Sequence, residues 1–103
     1  MLERELRESI RAAAKDCGYL VYFSWTSIHS PRGFPDLFIC HSDRGIAFAW
    51  ELKSEKGTVK PAQQEWLDAL AQVPGIDARV IRPADLENAY KALISGHWPK
   101  DSV

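Results

Sequence analysis

A single α/β domain, with a mixed β-sheet covered by helices, is the fold this sequence predicts, and three observations carry it. Residues 46–53 alternate Ile46, Phe48, Trp50 and Leu52 on one face with Ala47, Ala49, Glu51 and Lys53 on the other, the period-two pattern of a strand. Residues 2–17 set Leu2, Leu6, Ile10, Ala13 and Cys17 at helical spacing and stop at Gly18. Beyond the central strand, helical spacing returns twice with one short strand between, so the element order is α-β-β-β-α-β-α. A chain of 103 residues with 46% hydrophobic content holds one modest core, divided as a domain over residues 1–96 and a tail over 97–103. No repeat or low-complexity segment interrupts it.

Each element has a local reason. Residues 19–25 are rich in aromatic and β-branched side chains and form the first strand. A polar connection over 26–32 follows, and Pro35 then biases Phe34 to an extended backbone ahead of Asp36. The apolar run 37–40 meets the strand 46–53 through His41, Ser42, Asp43, Arg44 and Gly45, a polar loop suited to a hairpin. Pro61 opens a helix running to Gln72, with Trp66, Leu67 and Leu70 as its apolar side. Val73, Pro74 and Gly75 end it before a strand over 77–81. Pro83 and Asp85 lead the last helix, whose Leu86, Tyr90 and Leu93 recur until Gly96. The tail is expected to be loosely held, with Trp98 available to dock on the body or on a second copy.

Hairpin symmetry gathers the chemistry. Folding the loop about Asp43 and Arg44 sets Asp36 opposite Glu51, Phe38 opposite Ala49 and Cys40 opposite Ala47. Opposed residues point the same way and lie about 5 Å apart at Cβ, so Asp36, Glu51 and Lys53 collect at one open end. Two carboxylates and a lysine there raise the cost of ionisation unless something uses the charge. A divalent cation removes that cost, and hard oxygen donors suit Mg²⁺, with Mn²⁺ able to replace it. The chemistry suggested is metal-assisted attack of water on a phosphodiester.

Three ordered segments now support a resemblance. Gly33, Phe34, Pro35 and Asp36 followed by Glu51, Leu52 and Lys53 resemble the Pro-Asp and (Asp/Glu)-X-Lys signature of the PD-(D/E)XK nuclease superfamily. Downstream, Lys60 to Trp66 with Pro61, Gln63 and Trp66 resembles the Pro-X-Gln-X-X-Trp-like segment of its VRR-NUC family. The resemblance implies a restriction-endonuclease-like fold and hydrolysis of DNA leaving a 5′-phosphate. It implies metal ligation by Asp36, Glu51 and the backbone carbonyl of Leu52, with Lys53 orienting the nucleophile or stabilising developing charge.

The same resemblance carries an acidic role in the first helix onto Glu3, acting on the metal directly or through water. At 100° per residue Glu3 falls roughly 60° from the centre of the apolar stripe, Glu5 roughly 100° and Glu8 roughly 160°. Glu3 alone borders the buried face, and Glu5 remains the alternative. Gln63 lies three residues before Trp66, on its side of the helix, where it can look into the site toward water, Glu51 or phosphate; Gln64 is the lesser candidate. In family-like geometry the 26–32 loop approaches from the substrate side, so Ser27, His29, Ser30 and Arg32 become phosphate-binding candidates. Lys56 and Lys60 form, with Lys53, a small basic cluster beside the acidic site.

Domains of this size resemble viral or bacterial junction-cleaving enzymes similar to Holliday junction resolvases. A two-fold homodimer would match a two-fold junction, and nothing resembles a base-reading helix. A flap or general DNA endonuclease of a repair or restriction system is the enzymatic alternative, and a non-catalytic DNA-binding module the other.

Composition sets the outer limits. A net charge of −1 does not by itself indicate nucleic acid, so local distribution must carry that reading. The charged beginning does not resemble a secretory signal, and no apolar run approaches the roughly 18 residues of a membrane span; a soluble cytoplasmic protein with no membrane partner is expected. Cys17 and Cys40 have neither metal nor redox spacing and are expected to be reduced core thiols. His29, His41 and His97 are scattered, so no zinc site is expected.

Overall fold

Our computed structural model of the chain describes residues 1–24 and 33–100. Helix α1 (Glu3–Asp16) leads into strand β1 (Leu20–Phe23), and β2 (Leu37–His41) joins β3 (Ile46–Leu52) through a short 3₁₀ turn over Ser42–Arg44. Helix α2 (Pro61–Ala71), strand β4 (Ile76–Ile81), a second 3₁₀ turn over Pro83–Asp85 and helix α3 (Leu86–Ser95) complete it. The strands lie in the order β1-β2-β3-β4; the first two pairings are antiparallel and β3 runs parallel to β4. This is the mixed, helix-covered sheet expected, with element ends displaced by a residue or two.

The hairpin register is the one that symmetry about Asp43 and Arg44 demands: Phe38 opposes Ala49 and Cys40 opposes Ala47. Gly45 closes the turn at φ 62°, in the left-handed region that glycine enters without a Cβ clash.

Period two in the strands divides the core into layers. Leu37, Ile39, Phe48 and Trp50 face one way and pack with Leu6 and Ile10 of α1 and Ala89 and Leu93 of α3, all fully buried. On the other face, Trp66 of α2 meets Phe34 edge-on at 5.1 Å between centroids, and Phe34 meets Phe38 at 6.2 Å. The small Ala49 lies beneath this side and is fully buried. Thus α1 and α3 cover one face of the sheet and α2 covers the other.

Helix α1 runs back along the sheet. Its C-cap is Cys17, and a Cβ on the following Gly18 would lie 3.4 Å from His41 Nε2, at the hairpin-turn end. Fourteen residues span about 21 Å, so its first turn reaches the opposite end, where Asp36 and Glu51 sit. The apolar stripe needs one correction. Leu2 caps the helix and is 60% exposed, while Ala14 is fully buried and Ala13 only partly, because the buried stripe follows Leu6, Ile10 and Ala14 at i, i+4 spacing.

In the tail, of the two dockings open to Trp98, the structure shows the one on the body. Trp98 packs edge-on against Trp50 at 5.9 Å, and the Arg79 guanidinium lies 3.9 Å over its ring. Asp77 holds Arg79 with two hydrogen bonds of 2.7 and 2.9 Å and accepts from Trp50 Nε1 at 3.3 Å. An aromatic ring, an arginine and a carboxylate therefore fasten residue 98 to the body. The cysteines are free and half-buried. No helix among the described residues is long and apolar enough to cross a membrane.

Candidate active site

The open end of the β2–β3 hairpin is where the charged residues meet. Asp36 stands one residue before β2, and continuing the register places it opposite Glu51. Its backbone carbonyl accepts from Ser24 N–H at 3.0 Å, and its Oδ2 accepts from Leu52 N–H at 3.0 Å. Asp36 thus ties the ends of β1 and β3 together through both its backbone and its side chain.

Glu51 is a charged residue inside the protein, 2% exposed. Its Oε2 accepts from Gln63 Nε2 at 2.8 Å and lies 3.5 Å from Lys53 Nζ. Its Oε1 is buried with no hydrogen-bond partner. Burial first, and the neighbouring Asp36 carboxyl second, push the Glu51 carboxyl up to about 7, with Lys53 opposing. A carboxylate held this way favours its proton unless a cation arrives.

The donor set therefore fits a hard divalent ion: two adjacent carboxyl groups and a buried carboxylate oxygen lacking a partner. Among the described residues no three His, Cys, Asp or Glu side chains gather closely enough to hold a metal. Glu3, half-exposed in the first turn of α1, accordingly does not join Asp36 and Glu51 in a cluster. Glu5 is engaged elsewhere, since its Oε1 accepts from Leu2 N–H at 2.7 Å and so caps α1.

Helix α2 delivers Gln63. The helix begins at Pro61, and Lys60 N–H donates to Gln63 Oε1 at 2.8 Å across the first turn. Because that N–H can only donate, the amide oxygen faces Lys60 and the amide nitrogen faces Glu51. One side chain thereby caps the helix and grips the carboxylate. Gln64 turns outward and donates to Asp68 Oδ1 at 2.8 Å.

Lys53 is 14% exposed and its backbone N–H donates to Ile81 O at 3.0 Å, so β4 holds its strand end. Lys56 and Lys60 are exposed around the following loop. Ser27, His29, Ser30 and Arg32 lie outside the described residues.

Two residues that position this site escaped the sequence reading. Gly33 has φ +87°, and a Cβ there would stand 2.4 Å from Ala62 O and 2.8 Å from Gln63 N. The strand leading to Asp36 therefore touches the first turn of α2 through a glycine. Arg82 Nη1 donates to Ser54 O at 2.7 Å, Glu55 O at 3.2 Å and Gly57 O at 2.9 Å, staking down the loop that carries Lys56. The glycine before Phe34 and Pro35 was a visible signal for the first; the partners of the second lie 25 to 28 residues away and leave no local pattern.

Comparison with known proteins adds to this geometry. The family model described as the VRR-NUC domain matches residues 4–85. No curated protein matches the chain. Among solved structures, Hjc of Archaeoglobus fulgidus, described as a Holliday junction resolvase from an archaeal hyperthermophile, is similar with a TM-score of 0.53 and 22% identity. The match covers 78% of this chain and 67% of that one, and at this identity it establishes likeness of fold.

Proposed function

Because the chain belongs to the VRR-NUC domain family, we propose that it is a divalent-metal-dependent endodeoxyribonuclease acting on branched DNA, four-way junctions foremost, as a two-fold homodimer. The observation that carries the metal-dependent reading is the Glu51 carboxyl: buried, beside Asp36, with one oxygen unpartnered. Structural stability alone does not explain an acid kept there. Junction DNA is supported by the likeness of fold to a protein described as a Holliday junction resolvase, and a two-fold dimer would offer one site to each of two symmetric strands.

Asp36, Glu51 and the Leu52 carbonyl would hold Mg²⁺ or Mn²⁺, and Glu3, outside their cluster, would act only through water. The ion, when bound, supplies a more acidic water and neutralises charge on the phosphate. The chain's own residues do the rest. Asp36 is aimed by the Leu52 N–H, so its second oxygen is the one left for ligation. Gln63 holds Glu51 Oε2 and leaves Oε1 for the cation, which makes it a positioning residue. Lys53, 3.5 Å from Glu51 Oε2, would stabilise charge that develops on the phosphoryl oxygens. Lys56 and Lys60 hold flanking phosphates.

The test is cleavage of a labelled four-way junction beside matched duplex and flap DNA, with Mg²⁺, Mn²⁺ or EDTA, using wild type and Lys53→Ala. Metal-dependent paired incisions in the junction, lost in the variant, support the reading. Preferential cutting of flap or duplex replaces the substrate and retains the site. Tight binding without cleavage of any DNA makes the domain a binding module.

A further inference from the structure

The nuclease reading uses Lys56 and Lys60 but leaves a larger set of positive charges unaccounted for. Of the described basic side chains, Arg11, Lys53, Arg79 and Lys91 pair with carboxylates. Arg44 and Arg82 are spent on backbone carbonyls. Four others, Arg4, Arg7, Lys15 and Lys100, have no ion-pair partner among the described residues. All but Lys100 are on α1.

Their spacing puts them in one row. At 100° per residue Arg4, Arg7, Arg11 and Lys15 fall within about 80° of one another, and the row extends about 16 Å along the helix. The acids of α1 flank the row: Glu3 falls about 40° outside Arg7 and Glu8 about 20° outside Lys15. Glu5 is held at the N-cap, Glu8 is turned onto Arg11 at 2.8 Å, and Asp16 falls about 100° or more from each member of the row. Helix stability accounts for Lys15 in the last turn, where a cation complements the dipole. It does not account for Arg4, which stands in the first turn against the positive end of the helix.

The two faces of the sheet differ in charge. Helix α2 exposes Glu65 and Asp68 and contains no lysine or arginine, so its outer surface offers a polyanion no cation, whereas α1 presents the row. The row also begins in the right place, since the first turn of α1 lies at the same end of the sheet as Asp36 and Glu51.

We infer that the Arg4, Arg7, Arg11 and Lys15 row of α1 is a phosphate-backbone track that holds a duplex arm of the DNA leading away from the cleavage site. This rests on the nuclease reading and adds to it the path of the substrate. Phosphates of one strand recur every 3.4 Å or so of duplex axis, so a row of this length spans about five of them. Contact is with backbone only, which suits cutting directed by shape rather than by sequence.

The experiment is the salt dependence of binding in EDTA, read by fluorescence anisotropy on a labelled four-way junction and a matched duplex. The proteins are wild type, Arg7→Gln with Lys15→Gln, and Lys91→Gln as a control on α3. Glutamine keeps helix propensity close to that of lysine and arginine, so folding is retained; thermal unfolding verifies it. The slope of log affinity against log salt should fall by about one for each removed contact, near two in the double variant, with the Lys91→Gln slope equal to wild type. An unchanged slope in a folded double variant, with wild type binding DNA, overturns the track and leaves the nuclease reading standing. Absence of any salt-dependent DNA binding by wild type overturns both.

Discussion

The two ends of the β2–β3 hairpin bury polar groups in opposite states. At the turn end, Arg44 donates to Leu93 O at 2.9 Å and Ile94 O at 2.7 Å, covering the C-terminal carbonyls of α3, and Tyr19 OH donates to the same Leu93 O at 2.9 Å. Burial pushes the Tyr19 phenol up and Arg44 opposes it. One cation there serves several acceptors. At the open end two carboxyl groups face each other, one lysine stands 3.5 Å away, and Glu51 Oε1 has no partner. Each end contains one unpartnered buried atom, His41 Nδ1 and Glu51 Oε1. An imidazole nitrogen without a partner is a small defect, whereas a carboxylate oxygen is a large one. The turn end is satisfied for stability; the open end keeps an unsatisfied charge whose natural counterpart is a cation.

The contrast is broken most forcefully by exchanging the consequences of mutation at the two ends. Glu51→Gln or Lys53→Ala should lower metal-dependent cleavage by about a thousandfold or more, removing roughly 4 kcal/mol of transition-state stabilisation. Arg44→Leu should instead leave kcat within a few-fold while lowering unfolding free energy by about 2 to 4 kcal/mol, as measured by urea titration. A cleavage defect of equal size from Arg44→Leu would erase the distinction.

Stability against pH sharpens it next. The Glu51 carboxyl is raised to about 7 in the folded protein, so its contribution is fully present below about pH 4.5 and lost as pH rises through about 7. In metal-free protein, Glu51→Gln should therefore be more stable than wild type above pH 8, by at most about 3 kcal/mol, with the difference closing below pH 4.5 or so. Added Mg²⁺ should raise the Tm of wild type and not that of the variant. Because protons compete for the same oxygens, that Mg²⁺ effect should weaken as pH falls below about 7.

Gly33 tests how the open end is assembled. A Cβ at this position meets Ala62 O at 2.4 Å, and φ is +87°, so Gly33→Ala should cost about 2 kcal/mol in stability. It should also shift Gln63 and reduce kcat more than KM, with the acid limb of the rate profile moving to higher pH as Glu51 loses a donor. Stability loss without movement of the profile would make the contact purely structural.

The smallest effect is expected on the sheet face opposite Glu51. Trp98→Ala removes the ring between Trp50 and Arg79 and should cost about 1 to 2 kcal/mol, with cleavage unchanged at temperatures where the variant is folded.

By itself the sequence determined the elements, the hairpin register and the meeting of Asp36 with Glu51. Strand alternation, helical spacing and a turn pivot are all local, and in a hairpin a local pivot dictates which residues oppose one another. It also favoured Gln63 over Gln64 on α2, mainly through the family resemblance, with spacing from Trp66 in agreement. Only the tertiary structure decided that Gly33 rests on Ala62, that Arg82 stakes the loop after Lys53, that Arg44 caps α3 and that Trp98 docks beside Arg79. It likewise separated the basic row of α1 from the acidic face of α2. Those contacts join residues 19 to 50 positions apart, and no periodicity or propensity specifies a partner at such range; it is chosen when helices and sheet pack and polar groups losing water must find acceptors.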